Sequence, residues 1–414
     1  MPLDTPWLLL VLGIVSLAMT ANALRPRRNA VMLLPSFFAA WLTTELALHH
    51  LALQLALAAV LIAHEALADW QGILGFALLA ISWPGLVHIY WTAHRTDHNV
   101  REALAAAELD LAPGERRYPR THLLVPPLMF WRRDVEVKRR VKYAEDGGQP
   151  LFLDIYRPRA PGERRPAIVQ VHGGGWIIGF KEYQGIPLLT HMAAGGWVGF
   201  NVDYRLSPRA TFPDHLIDIK RALAWIRANA DELGVDPDFI VVTGGSAGGH
   251  LTALMALTAG DPEYQPGFED ADTSVQAAVV FYGVFDFANI LGNKPTSFVR
   301  LLERVVMKKR LRDDPEAFLR ASPLARVHEG APPIFVIHGT RDNLASVQDA
   351  REFARRLRET SHDLVLYAEL PGAAHAFDVF PSTRTVAVIE AVERFLVRLH
   401  HAHLRGSRAR RPQG

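Results

Sequence analysis

Only seven of the first 94 residues carry a charge (Asp4, Arg25, Arg27, Arg28, Glu45, Glu65 and Asp69), whereas the other 320 hold 81. So long a stretch without solvated side chains does not suit the surface of a water-soluble domain and reads as a membrane block joined to a soluble one. Four apolar runs, 7–24, 30–48, 51–67 and 70–91, approach the roughly 20 residues needed to cross a hydrocarbon core. The sequence therefore predicts four spans, with His49-His50 marking the break between the second and third. A cleaved leader is the alternative for the first run, because Ala21-Asn22-Ala23 offers a small-residue cleavage site. Charge order argues against it: Asp4 precedes the apolar run and Arg25-Pro26-Arg27-Arg28 follows it, the reverse of a signal peptide. Glu45, His64 and Glu65 fall within or near span ends, where ionisable groups need partners or interfacial water. His49, His50, His64 and His88 are weighed as a metal or haem site and set aside, since no pair has i, i+4 spacing. His94 and His98 have that spacing but lie beyond the last span. No metal and no organic cofactor is expected.

A net charge of +2 supplies no broad basic field for nucleic acid, and the absence of Cys excludes disulfides, thiolate metal sites and a Cys nucleophile. Residues 95–133 read as a connector in which Pro113, Pro119, Pro126 and Pro127 disfavour one continuous helix. Its end, LLVPPLMFW (123–131), precedes Arg132, Arg133, Lys138, Arg139, Arg140 and Lys142. That pattern suits a segment resting on lipid, or equally a lid followed by a first strand with a solvated face. From 134 to 402 strand and helix patterns alternate, predicting an α/β fold with a mostly parallel sheet flanked by helices. Strands are expected at 151–156, 167–172, 197–202, 239–243, 275–281, 334–338 and 364–369, and helices at 214–232, 246–258 and 346–358. The stretch 286–320 breaks the alternation and is a candidate cap; 403–414 is basic and is expected to be a disordered tail.

Chemistry is concentrated at the strand ends. Gly244-Gly245-Ser246-Ala247-Gly248 lies between a predicted strand and a helix, where a tight turn with small neighbours pushes a serine hydroxyl out of the sheet. A glycine-rich turn with a capping serine is the plainer alternative. His172-Gly173-Gly174-Gly175-Trp176 follows the strand 167–172; without Cβ atoms its backbone N–H groups can approach a reacting carbonyl. A phosphate-binding loop is the rival, but neither G-x-x-x-x-G-K-[ST] nor G-x-G-x-x-G is present. A serine needs a base and the base an orienting carboxylate. His375 follows the last predicted strand and Asp342 the one before it, which makes the chain order Ser246, Asp342, His375. His172, His250, Asp203 and Asp286 are other acids and bases near strand ends.

With these motifs in place, 134–400 resembles the hormone-sensitive-lipase-like esterases of the α/β-hydrolase fold. The likeness extends to Asp203-Tyr204-Arg205-Leu206-Ser207-Pro208 with Phe212-Pro213, to Tyr282-Gly283-Val284-Phe285-Asp286, to Ser322-Pro323-Leu324 and to Pro332-Pro333. The resemblance implies Ser246, Asp342 and His375 as catalytic residues, and Gly174, Gly175 and Ala247 as oxyanion donors. It implies cleavage of small lipophilic carboxylic esters through an acyl-enzyme. Two departures stand out: Gly245 where the family often has an acid before the serine, and Ser346 where a second acid often follows the Asp loop. The HGGGW and GGSAGGHL motifs also resemble aryl formamidases, making amide hydrolysis the nearest rival, with an inactive membrane-tethered binding module a third reading. The oily block is similar to N-terminal extensions of some bacterial lipase-like esterases, which implies a multi-pass inner-membrane protein with the bilayer as partner. With four spans, the cluster Arg25, Arg27 and Arg28 against Arg95 and Arg101 puts the hydrolase on the outer face.

Overall fold

Near-continuous apolar runs suit strands covered on both faces, and the computed structural model bears out that reason. It describes residues 4–27, 29, 31–105, 117–125 and 132–410. Eight strands, β1 (Val135–Asp146), β2 (Gln149–Pro158), β3 (Arg165–Val171), β4 (Val198–Val202), β5 (Val235–Gly245), β6 (Ala277–Phe281), β7 (Ile334–Gly339) and β8 (Val365–Leu370), form one sheet in the order β1-β2-β4-β3-β5-β6-β7-β8. The pairs β1–β2 and β2–β4 are antiparallel and all others parallel. Along β5, Ile240 and Val242 enter one core while Phe239 and Val241 enter the other; on β7, Ile334 and Val336 alternate with Phe335 and Ile337 in the same way. This is the mostly parallel, helix-flanked sheet expected of an α/β-hydrolase.

Twelve helices accompany the sheet among the described residues. The first four are α1 (Thr5–Leu24), α2 (Leu33–Glu45), α3 (Ala47–Ala63) and α4 (Trp70–Ala105). The hydrolase layers contain α5 (Ile186–Ala194), α6 (Asp214–Ala228), α7 (Ala230–Leu233), α8 (Ala247–Leu257), α9 (Thr296–Leu301), α10 (Pro315–Arg320), α11 (Val347–Thr360) and α12 (Thr383–Arg410). The first core takes Leu216 and Leu223 of α6, Leu251 of α8 and Phe353 of α11; the second takes Leu189 of α5 and Val392 and Phe395 of α12. The irregular stretch 286–320 joins the first core through Leu302, Val306 and Phe318, which cluster with Phe212 and Phe287.

Three sequence expectations need correction. The basic tail is helical as far as Arg410, because α12 continues past residue 402 and His403 packs its ring 5.2 Å from Phe239. Residues 411–414 lie outside the described ones, as do 126–131 of the apolar connector segment. The connector also begins as helix: α4 runs on to Ala105, and Val100 and Leu104 are buried in the second core. Burying two such side chains contributes about 1.5–3 kcal/mol each, so α4 is built into the hydrolase rather than loosely linked to it.

The third correction is the number of spans. Among the described residues only α1 and α4 are individually long and apolar enough to cross a membrane; α2 and α3 meet at an 87° bend, and the pair counts as at most one further span. With 13 residues, α2 is about 20 Å long at 1.5 Å per residue, short of the roughly 30 Å core. The break falls at Leu46, and His49 and His50 lie inside α3. α1 and α4 run parallel in close contact over small residues. A Cβ at Gly75 would sit 2.4 Å from the Leu9 carbonyl oxygen, one at Gly85 would meet Thr20, and the hydroxyls of Thr20 and Ser82 bond at 2.8 Å. Small residues are what let apolar helices approach this closely.

Candidate active site

The sharp turn that ends β5 places Ser246 at φ +60°, ψ −122°, immediately before α8. Side chains are strained at such a φ, and the strain is tolerated only where the surroundings over-determine it. Here they do: a Cβ at Gly248 would lie 2.1 Å from the Val171 carbonyl oxygen, so only glycine lets α8 press this close to β3. The N-terminus of α8, an 11-residue helix, points its partial positive charge at the serine.

Asp342 and His375 meet at the ends of β7 and β8. His375 Nδ1 donates to Asp342 Oδ2 at 2.6 Å, and both residues are buried. The other oxygen, Oδ1, accepts the backbone N–H groups of Leu344 and Ala345, each at 2.8 Å. Burial alone would raise this carboxyl's pKa. The positive charge His375 carries once protonated, together with hydrogen bonds from His338 and His375, outweighs burial and holds it well below the usual carboxylate range. Asp342 is therefore ionised, and an imidazole held by it through Nδ1–H keeps Nε2 free to take a proton.

No hydrogen bond joins Ser246 to His375 among the described residues, and such bonds often tighten only with substrate in place. The two converge on Tyr282. Its ring lies 4.6 Å from that of His375, and its hydroxyl is 2.6 Å from where a Cβ on Gly245 would be. This accounts for one departure from the family pattern: an acid at 245 would collide with Tyr282. The Tyr282 hydroxyl donates instead to Asp378, whose carboxyl burial pushes up to about 6, against the lowering effect of that hydrogen bond.

The glycine loop lies against the serine: a Cβ on Gly173 would be 3.0 Å from Ser246 Cβ. Gly173 N–H is taken by Gln184 Oε1 at 2.7 Å. The N–H groups of Gly174 and Gly175 donate to no acceptor among the described residues. Gly174, at φ +125°, could not be replaced, since a Cβ there would lie 1.8 Å from the Ile178 carbonyl oxygen. The remaining acids and bases have structural partners. His172 bonds the Gly173 carbonyl at 2.8 Å and stacks on Tyr204; burial lowers its pKa to about 4, keeping it neutral. His250 accepts from Trp176 and bonds the Ala321 carbonyl. Asp203 pairs with Lys181, and Asp286 accepts from the backbone of Ile290 and Leu291. Among the N-terminal helices, His49 reaches the Leu124 carbonyl at 3.4 Å and His94 packs on Tyr90.

Sequence reasoning missed three contributors. His338, four residues before Asp342, places Nε2 3.4 Å from the same Oδ2, a spacing visible in IFVIHGTRD. In the sequence Tyr282 figures only as part of a motif. Phe37 of α2 falls within a predicted span, yet its ring lies edge-on to His375 with centroids 5.9 Å apart.

Comparison with known proteins shows the family to which the chain belongs. The BD-FAE family model matches residues 153–357. The chain is 40% identical to a probable carboxylic ester hydrolase, LipM, of Mycobacterium tuberculosis, over 96% of this chain and 94% of that one. It belongs to the α/β-hydrolase esterase family. The esterase LipQ of the same organism is 48% identical over 60% of each chain. Esterase 2 of Thermogutta terrifontis, in a structure phosphonylated by sarin, superposes with a TM-score of 0.56 at 30% identity, over 64% of this chain and 95% of that one. The protein is thus a serine hydrolase acting on carboxylic esters; the LipM match covers 96% of this chain, whereas the Thermogutta likeness covers 64%.

Proposed function

We propose that this esterase is membrane-anchored and cleaves lipophilic carboxylic esters through an acyl-enzyme. The observation that carries the reading is the buried Asp342–His375 hydrogen bond beside the strained Ser246 turn. Ser246 attacks the carbonyl as His375 takes its proton, Asp342 keeps the imidazole oriented, and N–H groups of Gly174, Gly175 and Ala247 hold the oxyanion. His375 then protonates the leaving alcohol, and water, activated by the same base, releases the acid. The curated relatives favour ester over formamide. In a screen of p-nitrophenyl esters of increasing chain length beside N-formylkynurenine, at least one ester is expected to be turned over faster than the formamide, with Ser246 labelled by a fluorophosphonate. Superior turnover of formylkynurenine would overturn the ester reading.

We further propose that the catalytic domain faces the cytoplasm. The C-terminal end of α1 touches the hydrolase: Asn343 Nδ2 donates to the Arg27 carbonyl at 3.0 Å. Since α4 runs parallel to α1, its C-terminal end lies on the same side, and the α2–α3 pair returns the chain to the far side, where Thr5 bonds the His64 carbonyl. Arg25 and Arg27 then share a side with Arg95 and Arg101, so basic residues that opposed one another under a four-span count act together, and such residues stay inside. The outer-face placement rested on that count and is replaced. A fluorescent protein fused after residue 414 should be fluorescent and an alkaline phosphatase fusion inactive; the converse pair of results would put the domain outside.

A further inference from the structure

α2 is too short to cross the bilayer, and its ties to the hydrolase fall on the loops that carry Asp342 and His375 and on the first turn of α12. At its C-terminal end Glu45 forms an ion pair with Arg384, both side chains fully buried, and accepts from Ser382 Oγ at 2.7 Å. At its N-terminal end Asn343, next to Asp342, reaches the Leu33 carbonyl at 3.5 Å. Midway, Trp41 packs 5.2 Å from Phe380 and stacks on Phe37 at 5.9 Å. Removing one partner of a buried ion pair strands the other charge, which disfavours any position of α2 that separates Glu45 from Arg384.

Between these ties Phe37 covers His375, which is only 3% exposed. One flank of the imidazole is closed by Tyr282 and another by Phe37. A general acid must lie within hydrogen-bond reach of the group it protonates. The leaving alcohol therefore has to sit at His375, beside a wall supplied by the membrane block. That wall is apolar, and its outer side, Leu34, Phe38 and Leu42, is exposed where lipid would lie. Trp41 adds a polar feature: its Nε1–H is buried and meets no acceptor among the described residues, leaving one donor for a polar atom of a ligand.

We propose that Phe37 and Trp41 of α2 bind the alcohol portion of the substrate, and that the enzyme prefers esters of large apolar alcohols taken from the bilayer. This rests on the ester reading above and adds the moiety that the membrane block selects. The test holds the acyl group constant. Acetates of ethanol, hexanol and decanol are supplied in vesicles to the full-length protein, acid release is followed by pH-stat, and rates are normalised to serines labelled by a small fluorophosphonate. Wild type should prefer decyl over ethyl acetate, and Phe37→Ala should reduce that kcat/KM ratio by about tenfold, the scale on which apolar pockets discriminate. Phe37→Trp, which keeps the wall but reshapes it, should also change the ratio, and carries the test if the alanine variant fails to label. A ratio within twofold of wild type in the labelled variants overturns the assignment of α2 while leaving the ester reading intact. A wild type that neither cleaves any acetate nor labels at Ser246 overturns the ester reading itself, and this inference with it.

Discussion

Ser246→Ala is expected to reduce kcat on the best ester by on the order of 10⁴- to 10⁶-fold, because nucleophile, base and orienting acid act as one unit and losing one forfeits most of what all three supply. A 10⁵-fold loss corresponds to about 7 kcal/mol of transition-state stabilisation, more than any single contact at this site provides. The fold should survive. Alanine retains a Cβ, so the strained φ of +60° at the turn is neither relieved nor worsened relative to serine. The close packing of α8 depends on Gly248, which the substitution leaves in place. The residual rate should exceed that of the reaction in water, since the glycine-loop N–H groups remain to polarise the carbonyl. Turnover of purified, folded variant on several esters, with fluorophosphonate labelling as a second readout, checks this. Retention of more than a few per cent of wild-type kcat would overturn the assignment of Ser246.

The physical basis of legibility differs between the two halves of the chain. In the hydrolase, strands β3 to β7 announce themselves because they are buried almost throughout and read as largely apolar runs. The motifs at their ends carry residue types that tight turns and close backbone approach require. β1 was harder to see because its exposed positions Lys138, Arg139 and Arg140 mask the strand pattern. In the N-terminal block the same apolar composition serves helices long and apolar enough to cross a membrane and a short one folded back onto the enzyme. Neither Gly nor Pro marks the bend at Leu46, and Glu45 finds its partner 339 residues away in Arg384, a pairing no local pattern contains. The extension of α4 was legible in principle. Thr96, Val100 and Leu104 recur every four residues and are buried, while Asp97 pairs with Arg101 on the outer side. The charges of that outer side and the prolines further on drew the reading towards a connector.

Asp342→Asn is expected to lower kcat by on the order of 10⁴-fold with little change in stability, for a reason visible in the hydrogen bonds. Oδ1 accepts two backbone N–H groups, from Leu344 and Ala345, so an asparagine would be oriented with its carbonyl oxygen in that position. Its NH₂ would then occupy the place of Oδ2 and face His375 Nδ1. A donor there forces Nδ1 to accept, which moves the imidazole proton to Nε2 and leaves no lone pair to receive the proton of Ser246. The loss is thus one of tautomer rather than of position, and the fluorophosphonate labelling rate should fall with kcat while the melting temperature stays close to wild type. The pH profile gives a second check. Because His375 and His338 hold the Asp342 carboxyl well below the usual carboxylate range despite its burial, the acid is ionised throughout any practical assay. A loss of wild-type activity on mild acidification would then reflect protonation elsewhere in the site. A variant with kcat within tenfold of wild type would mean that Asp342 does not set the tautomer, and the role given to it here would fall.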